Sequence, residues 1–83
     1  LTEAHPNPSR NWSRLTLEVA EAQGVTAEVY DGLGRRVAVL LDGAVEAGTH
    51  ALAFDGSSLP AGVYVVRVTA ESFVATRRVT LIR

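Results

Sequence analysis

The sequence predicts an all-β domain, an antiparallel sandwich of about seven short strands. Apolar and polar residues alternate with period two in short runs. Gly, Pro and Asp break those runs at close intervals, as in Ala47-Gly48-Thr49-His50, Phe54-Asp55-Gly56 and Leu59-Pro60-Ala61-Gly62-Val63-Tyr64. Helical periodicity is weak, because Val19 to Ala27 reads as a helix only if Gly24 is ignored. No internal repeat is evident.

Residues 1–13 read as a linker and extended lead-in, and residues 14–83 as the sandwich. In His5-Pro6-Asn7-Pro8 the prolines fix φ and push their predecessors to extended conformations. That segment is expected along a sheet edge, where missing N–H donors are tolerated. Asn11-Trp12-Ser13 matches a glycosylation sequon and is read as a chance match, with Trp12 placed over one open end of the core. Leu15, Leu17 and Val19 form one half-buried strand, and Val25, Ala27 and Val29 a second. Asp31-Gly32-Leu33-Gly34 is a turn, since Asp bonds its own backbone and Gly permits positive φ. Val37 to Leu41 is an unbroken apolar run, predicting a strand buried on both faces and closed by Asp42-Gly43. His50, Leu52 and Phe54 alternate in the next strand, which Asp55-Gly56-Ser57-Ser58 ends. Tyr64, Val66 and Val68 then share a face, and Glu71-Ser72 turns the chain into Phe73 to Ile82. In that last strand Val79 and Leu81 point inward, and strict alternation carries Arg77 inward too, so a bulge near Arg77-Arg78 or a snorkelling Arg77 stem is required. The pattern fits an immunoglobulin-like or fibronectin-like sandwich.

At 83 residues the chain makes one domain, with room for a two-layer core and none for a deep substrate cavity. Apolar residues are 47% of it, which argues against disorder, and the net charge of −1 gives no reason to expect nucleic acid or an anionic membrane. Every basic residue is Arg. With no Cys there are no disulfides or thiolate sites, and the core must hold the fold alone. No apolar run approaches the roughly 20 residues needed to span a bilayer. The chain starts at Leu1 and shows no signal peptide, so it is expected to be a domain of a longer protein.

No constellation points to catalysis or to a cofactor. Asp31, Asp42 and Asp55 each precede Gly in separate turns, where Asp serves the backbone. Calcium would need six or more oxygens, and His5 and His50 have no nominated third ligand for a metal. Ser57-Ser58 lacks the elbow that exposes a nucleophile, and Gly32-Leu33-Gly34-Arg35 lacks the remaining glycines and helix of a phosphate loop. Arg35-Arg36 and Arg77-Arg78 are too few for a nucleic-acid footprint. A sugar platform has room only around Trp12 or Tyr30.

Taken in order, Pro6-Asn7-Pro8, Val29-Tyr30-Asp31, Leu33-Gly34-Arg35 with Val37, Ala47-Gly48-Thr49-His50, Phe54-Asp55, Leu59-Pro60-Ala61-Gly62-Val63-Tyr64 and the basic-apolar-basic ending from Arg77 to Arg83 resemble a known family across essentially the whole chain. It is the type A carboxy-terminal sorting domain of cargo for the bacterial type IX secretion system. The resemblance implies a seven-stranded immunoglobulin-like sandwich, covalently preceded by a cargo domain and closing the exported protein at Arg83. It further implies carriage to the periplasm, recognition by the outer-membrane translocon, and removal by a sortase-like peptidase as the cargo reaches the cell surface. The recognition residues it implies are Gly62, Tyr64, Arg78, Val79, Leu81 and Arg83. Family endings often carry Lys where this chain has Arg78 and Arg83; Arg keeps the charge but changes the hydrogen-bond geometry. Two other readings stand beside it: a structural module of the flagellar hook-capping type, and a carbohydrate-binding accessory module of a secreted hydrolase, which would need an exposed aromatic surface.

Overall fold

In a computed structural model, described here for residues 1–82, the chain forms six strands: β1 (Trp12–Val19), β2 (Gln23–Tyr30), β3 (Arg36–Val45), β4 (Gly48–Asp55), β5 (Gly62–Ala70) and β6 (Val74–Leu81). They make two antiparallel sheets, β1-β4 and β3-β2-β5-β6. The all-β, two-sheet architecture is the one the alternation predicts. The further edge element beyond these six strands is the segment before β1, which contributes single bridges, His5 with Arg14 on one sheet and Ser9, running parallel, with Leu81 on the other. Its two prolines, both preceded by cis peptide bonds, supply no N–H donors for a continuous ladder.

The two inner faces carry the expected residues. Leu15, Leu17, Val19, Leu52 and Phe54 from the smaller sheet meet Val25, Ala27, Val29, Tyr64, Val66, Val68, Val79 and Leu81 from the larger, all buried. Phe54 and Tyr64 meet within this layer, ring centroids 5.8 Å apart and tilted by 53°, a favourable aromatic geometry.

Three local expectations are corrected. The apolar run Val37 to Leu41 is not buried on both faces: β3 is an edge strand, half-buried, with Val39 49% exposed. The register explains the composition. Shifts opposite Ala27/Glu28 and Val29/Tyr30 leave Leu40 and Val37 as extra residues on β3, so the run is a doubly bulged strand. The strand also runs through Asp42-Gly43 to Val45, with Gly43 at φ 152°. Trp12 does not cover the core. It falls on the outward parity of β1 and is 51% exposed, with the Arg14 guanidinium 5.7 Å from its ring centroid, while the fully buried neighbour is Ser13, whose hydroxyl donates to Pro6 O at 2.7 Å.

Arg77 is resolved by snorkelling. The β5–β6 register is continuous from Gly62↔Leu81 to Thr69↔Val74, so no bulge intervenes. The guanidinium reaches out of the inner face to donate to Leu1 O at 2.6 Å and Thr76 O at 2.7 Å, with Glu3 Oε1 3.4 Å from Nε. A buried glutamine closes the end of the sandwich at the β5–β6 turn. Gln23 Oε1 accepts from the Ser72 amide and hydroxyl, and its Nε2 donates to Glu21 O, joining the β1–β2 and β5–β6 turns.

One glycine is fixed by packing alone. A Cβ on Gly56 would sit 2.5 Å from Leu81 Cδ1 and 3.1 Å from Asn11 O, so the fully buried Leu81 side chain would have to shift within the core. Gly56→Ala is therefore expected to destabilise the domain by about 1–3 kcal/mol, the usual range for an overpacked core. Chemical denaturation of the variant against the parent chain measures it; an unchanged midpoint would mean that Leu81 repacks freely.

Candidate functional site

The register brings together five of the six residues that the resemblance singles out for recognition. Gly62 lies opposite Leu81, Tyr64 opposite Val79, and Arg78 opposite Val65, so all five occupy one end of the β5–β6 hairpin. Arg83, the sixth, lies outside the described residues.

Their environments divide them into two kinds. Tyr64, Val79 and Leu81 are buried, with exposures of 4%, 0% and 1%, so no partner reaches their side chains in the folded domain. The Tyr64 hydroxyl is spent internally, donating to Pro60 O at 2.6 Å. That bond ties the loop before β5 to the core. Gly62 is exposed with open space around it, yet its φ of 157° is a conformation that side chains resist. Arg78 alone of the five presents a charged side chain to solvent.

The outer face of the larger sheet gives Arg78 a setting that the sequence did not reveal. Cross-strand neighbours Arg36, Tyr30, Val65 and Arg78 form one row across all four strands. In the next row Glu28 faces Arg67. Glu28 accepts from Arg36 Nη1 at 2.9 Å and from the Tyr30 hydroxyl at 3.0 Å. The Arg36 bond, with that of Tyr30, holds the Glu28 carboxyl below its ordinary value; the bond to Glu28 holds the Tyr30 phenol above its own. Glu28 and Arg36 are thus paired at the β3 side, where Asp42 also stands opposite Thr26, while Arg67 and Arg78 put positive charge on the β5–β6 side. Val63, 47% exposed, and Ile82, 43% exposed, flank that end with apolar surface.

Two turns meet beside Gly62. Asp31, Gly32 and Leu33 face Pro60 to Tyr64 across a cleft of about 400 Å³, and a Cβ on Gly32 would lie 4.0 Å from Val63 O. The Asp31 side chain builds its own turn. One oxygen accepts from the Leu33 and Arg35 amides at 2.9 and 3.0 Å, and the other from Arg35 Nε at 2.9 Å. The Arg35 amide, followed by that of Leu33, holds its carboxyl below the usual range. Gly34 follows at φ 81°, where a side chain would be disfavoured. Asp55 is lowered in the same way by the Ser57 amide.

The other candidate groups do not assemble. Among the described residues no three His, Asp or Glu side chains gather to hold a metal. His50 Nε2 bonds Glu46 O at 2.7 Å. Trp12 and Tyr30 lie on different sheets, facing away from each other, so they form no joint platform for a sugar chain. Among the described residues no helix is long and apolar enough to cross a membrane.

The family model described as a secretion system C-terminal sorting domain matches residues 3–82. No curated protein and no solved structure matches the chain.

Two measurements follow from the site. Tyr64→Phe keeps the ring and deletes the bond to Pro60 O, with an expected cost of about 1 kcal/mol in denaturation. For Asp31, the folded pKa is below the unfolded one, so its contribution is complete above the ordinary carboxylate pKa near 4 and is lost as pH falls through the lowered folded value. Asp31→Asn is expected to flatten the acid side of a melting-temperature profile without removing it, since Glu28 and Asp55 are lowered too. A slope equal to that of the parent chain would show that Asp31 does not contribute.

Proposed function

Since the chain belongs to the type IX secretion C-terminal sorting domains, we propose that it is a non-catalytic address that carries a preceding cargo domain through the outer-membrane translocon. The route is periplasm first, then the cell surface or medium, with a sortase-like peptidase removing the domain from its cargo. The observation that carries this reading is the family match over residues 3–82. It is supported locally by the register that gathers Gly62, Tyr64, Arg78, Val79 and Leu81 on one hairpin.

Within that reading the six residues divide by what a partner can touch. Tyr64, Val79 and Leu81 act by fixing the hairpin, and Gly62 by its backbone conformation. Arg78 is the contact residue, a guanidinium beside exposed Val63 and Ile82, suited to a partner surface that pairs an acidic group with an apolar one. Arg83 extends the same basic ending.

The test is export of a fluorescent reporter carrying a signal peptide and residues 1–83 in a host with a working type IX system. Deleting residues 79–83 removes the buried Val79 and Leu81 and would unfold the domain, so charge reversal at Arg78 is the better lesion. The parent fusion is expected outside the cell. Arg78→Glu, shown to be folded by its unchanged melting temperature, is expected to accumulate in the periplasm. Periplasmic retention of the parent fusion would overturn the sorting role, and normal export of Arg78→Glu would overturn the part given to Arg78.

A further inference from the structure

The Pro-Asn-Pro segment has no part in the function above, yet it occupies the most consequential edge in the molecule. Strand β6 is the outer strand of its sheet and would present a free ladder edge. Instead Asn7 Nδ2 donates to Arg78 O at 2.8 Å, and the Thr80 amide donates to Asn7 Oδ1 at 2.9 Å. Ser9 N donates to Thr80 O at 2.8 Å, and Ile82 N donates to Ser9 O at 2.8 Å. One side-chain amide and one residue's backbone thus satisfy the outward groups of three successive edge positions. The neighbouring carbonyl, Thr76 O, is taken by the Arg77 guanidinium.

The prolines explain why such a short segment suffices. Pro6 and Pro8 have no N–H, so the outer side of the segment cannot template a further strand. Asn7 supplies by side chain the donor and acceptor that a regular strand would supply by backbone. Both Asn7 bonds are solvent-exposed, and exposed bonds at an edge belong to the part of a fold that opens most easily. Ser9, by contrast, is buried with its hydroxyl donating to Trp12 O at 2.6 Å, so Asn7 is the loose end of the segment.

We propose that Pro6–Ser9 is a releasable strap over the edge of β6, and that the surface read during export is this edge uncovered, accepting an extended segment of the partner in the strap's place. The incoming segment would run parallel to β6, as Ser9 does beside Leu81, and would take the bonds now made to Arg78 O, Thr80 and Ile82 N. This rests on the sorting role stated above and adds the backbone half of the recognition, with Arg78 as its charged half.

Asn7→Ala loosens the strap while leaving every buried side chain in place. Amide hydrogen exchange should rise about tenfold at Thr80 and Ile82, as expected for loss of two modest hydrogen bonds, with Val79 and Leu81 unchanged because they pair with β5. A synthetic peptide of residues 4–11, titrated against the labelled 83-residue chain, should shift the resonances of Arg78 to Ile82 in Asn7→Ala and not in the parent at the same concentration. Asn7→Asp, which retains only the acceptor for the Thr80 amide, should fall between. The proposal is overturned if exchange rises equally along β6, or if parent and variant respond alike to the peptide. It is also overturned if Asn7→Ala, folded in solution, fails to export the reporter that the parent chain exports. Exchange and peptide uptake do not involve the secretion machinery, so they can succeed even where the Arg78→Glu export test fails, which separates the strap from the sorting role.

Discussion

Everything in this fold depends on keeping one shared layer of side chains dry between two sheets of unequal width. The smaller sheet has two strands and the larger four, so the layer is covered unevenly and its margins lie close to solvent. With no Cys, and so no disulfide, the margin must be closed by chain segments themselves. The stretch before β1 does this on one side, bonding first to Arg14 and Thr16 on the smaller sheet and then to Thr80 and Ile82 on the larger. It carries Ala4 and Ser9 into burial on the way. Its role is architectural even though almost none of it is strand.

That constraint also decides what the sequence could disclose. Period-two alternation identifies the inner faces of β1, β2, β4 and β5, because burial on one side leaves a polar residue at each second position. It fails at β3, where two bulged residues insert apolar side chains out of phase and mimic a doubly buried strand. Parity would have placed Trp12 correctly: it is on the same side of β1 as Arg14 and Thr16, and size alone suggested otherwise. Gln23 and Gly56 were beyond reach, since their reasons lie in Ser72, Leu81 and Asn11, distant in sequence. The aggregate order of short motifs disclosed the family, but no local signal separated residues that fold the hairpin from those left on its surface.

The separation follows from burial. A partner meeting the folded domain can reach charge, backbone edge and exposed apolar surface, and it cannot reach Tyr64, Val79 or Leu81. A motif such as Gly62-Val63-Tyr64 can therefore set the shape of the hairpin without being touched. Gly62 starts β5 in a conformation side chains resist, and Tyr64 then locks the preceding loop through Pro60 O while its ring packs on Phe54. The outcome is a fixed position for Val65 and for its neighbour Arg78.

Leu81 shows why such an address takes a folded domain rather than a short peptide. It pairs with Gly62 across the hairpin, bridges to Ser9 of the strap, and fills the space that a side chain at position 56 would need. Three segments far apart in sequence therefore converge on one residue of β6. A linear tail of the same composition would sample many conformations, and ordering it on a partner would cost on the order of 1–2 kcal/mol for each residue fixed. Here the fold has already fixed Arg78 and, beneath its strap, the β6 edge, so in the role proposed above that ordering cost does not fall on the partner. The same arrangement makes the tail's shape depend on an intact core: a chain that has not folded does not present Arg78 and the edge of β6 together.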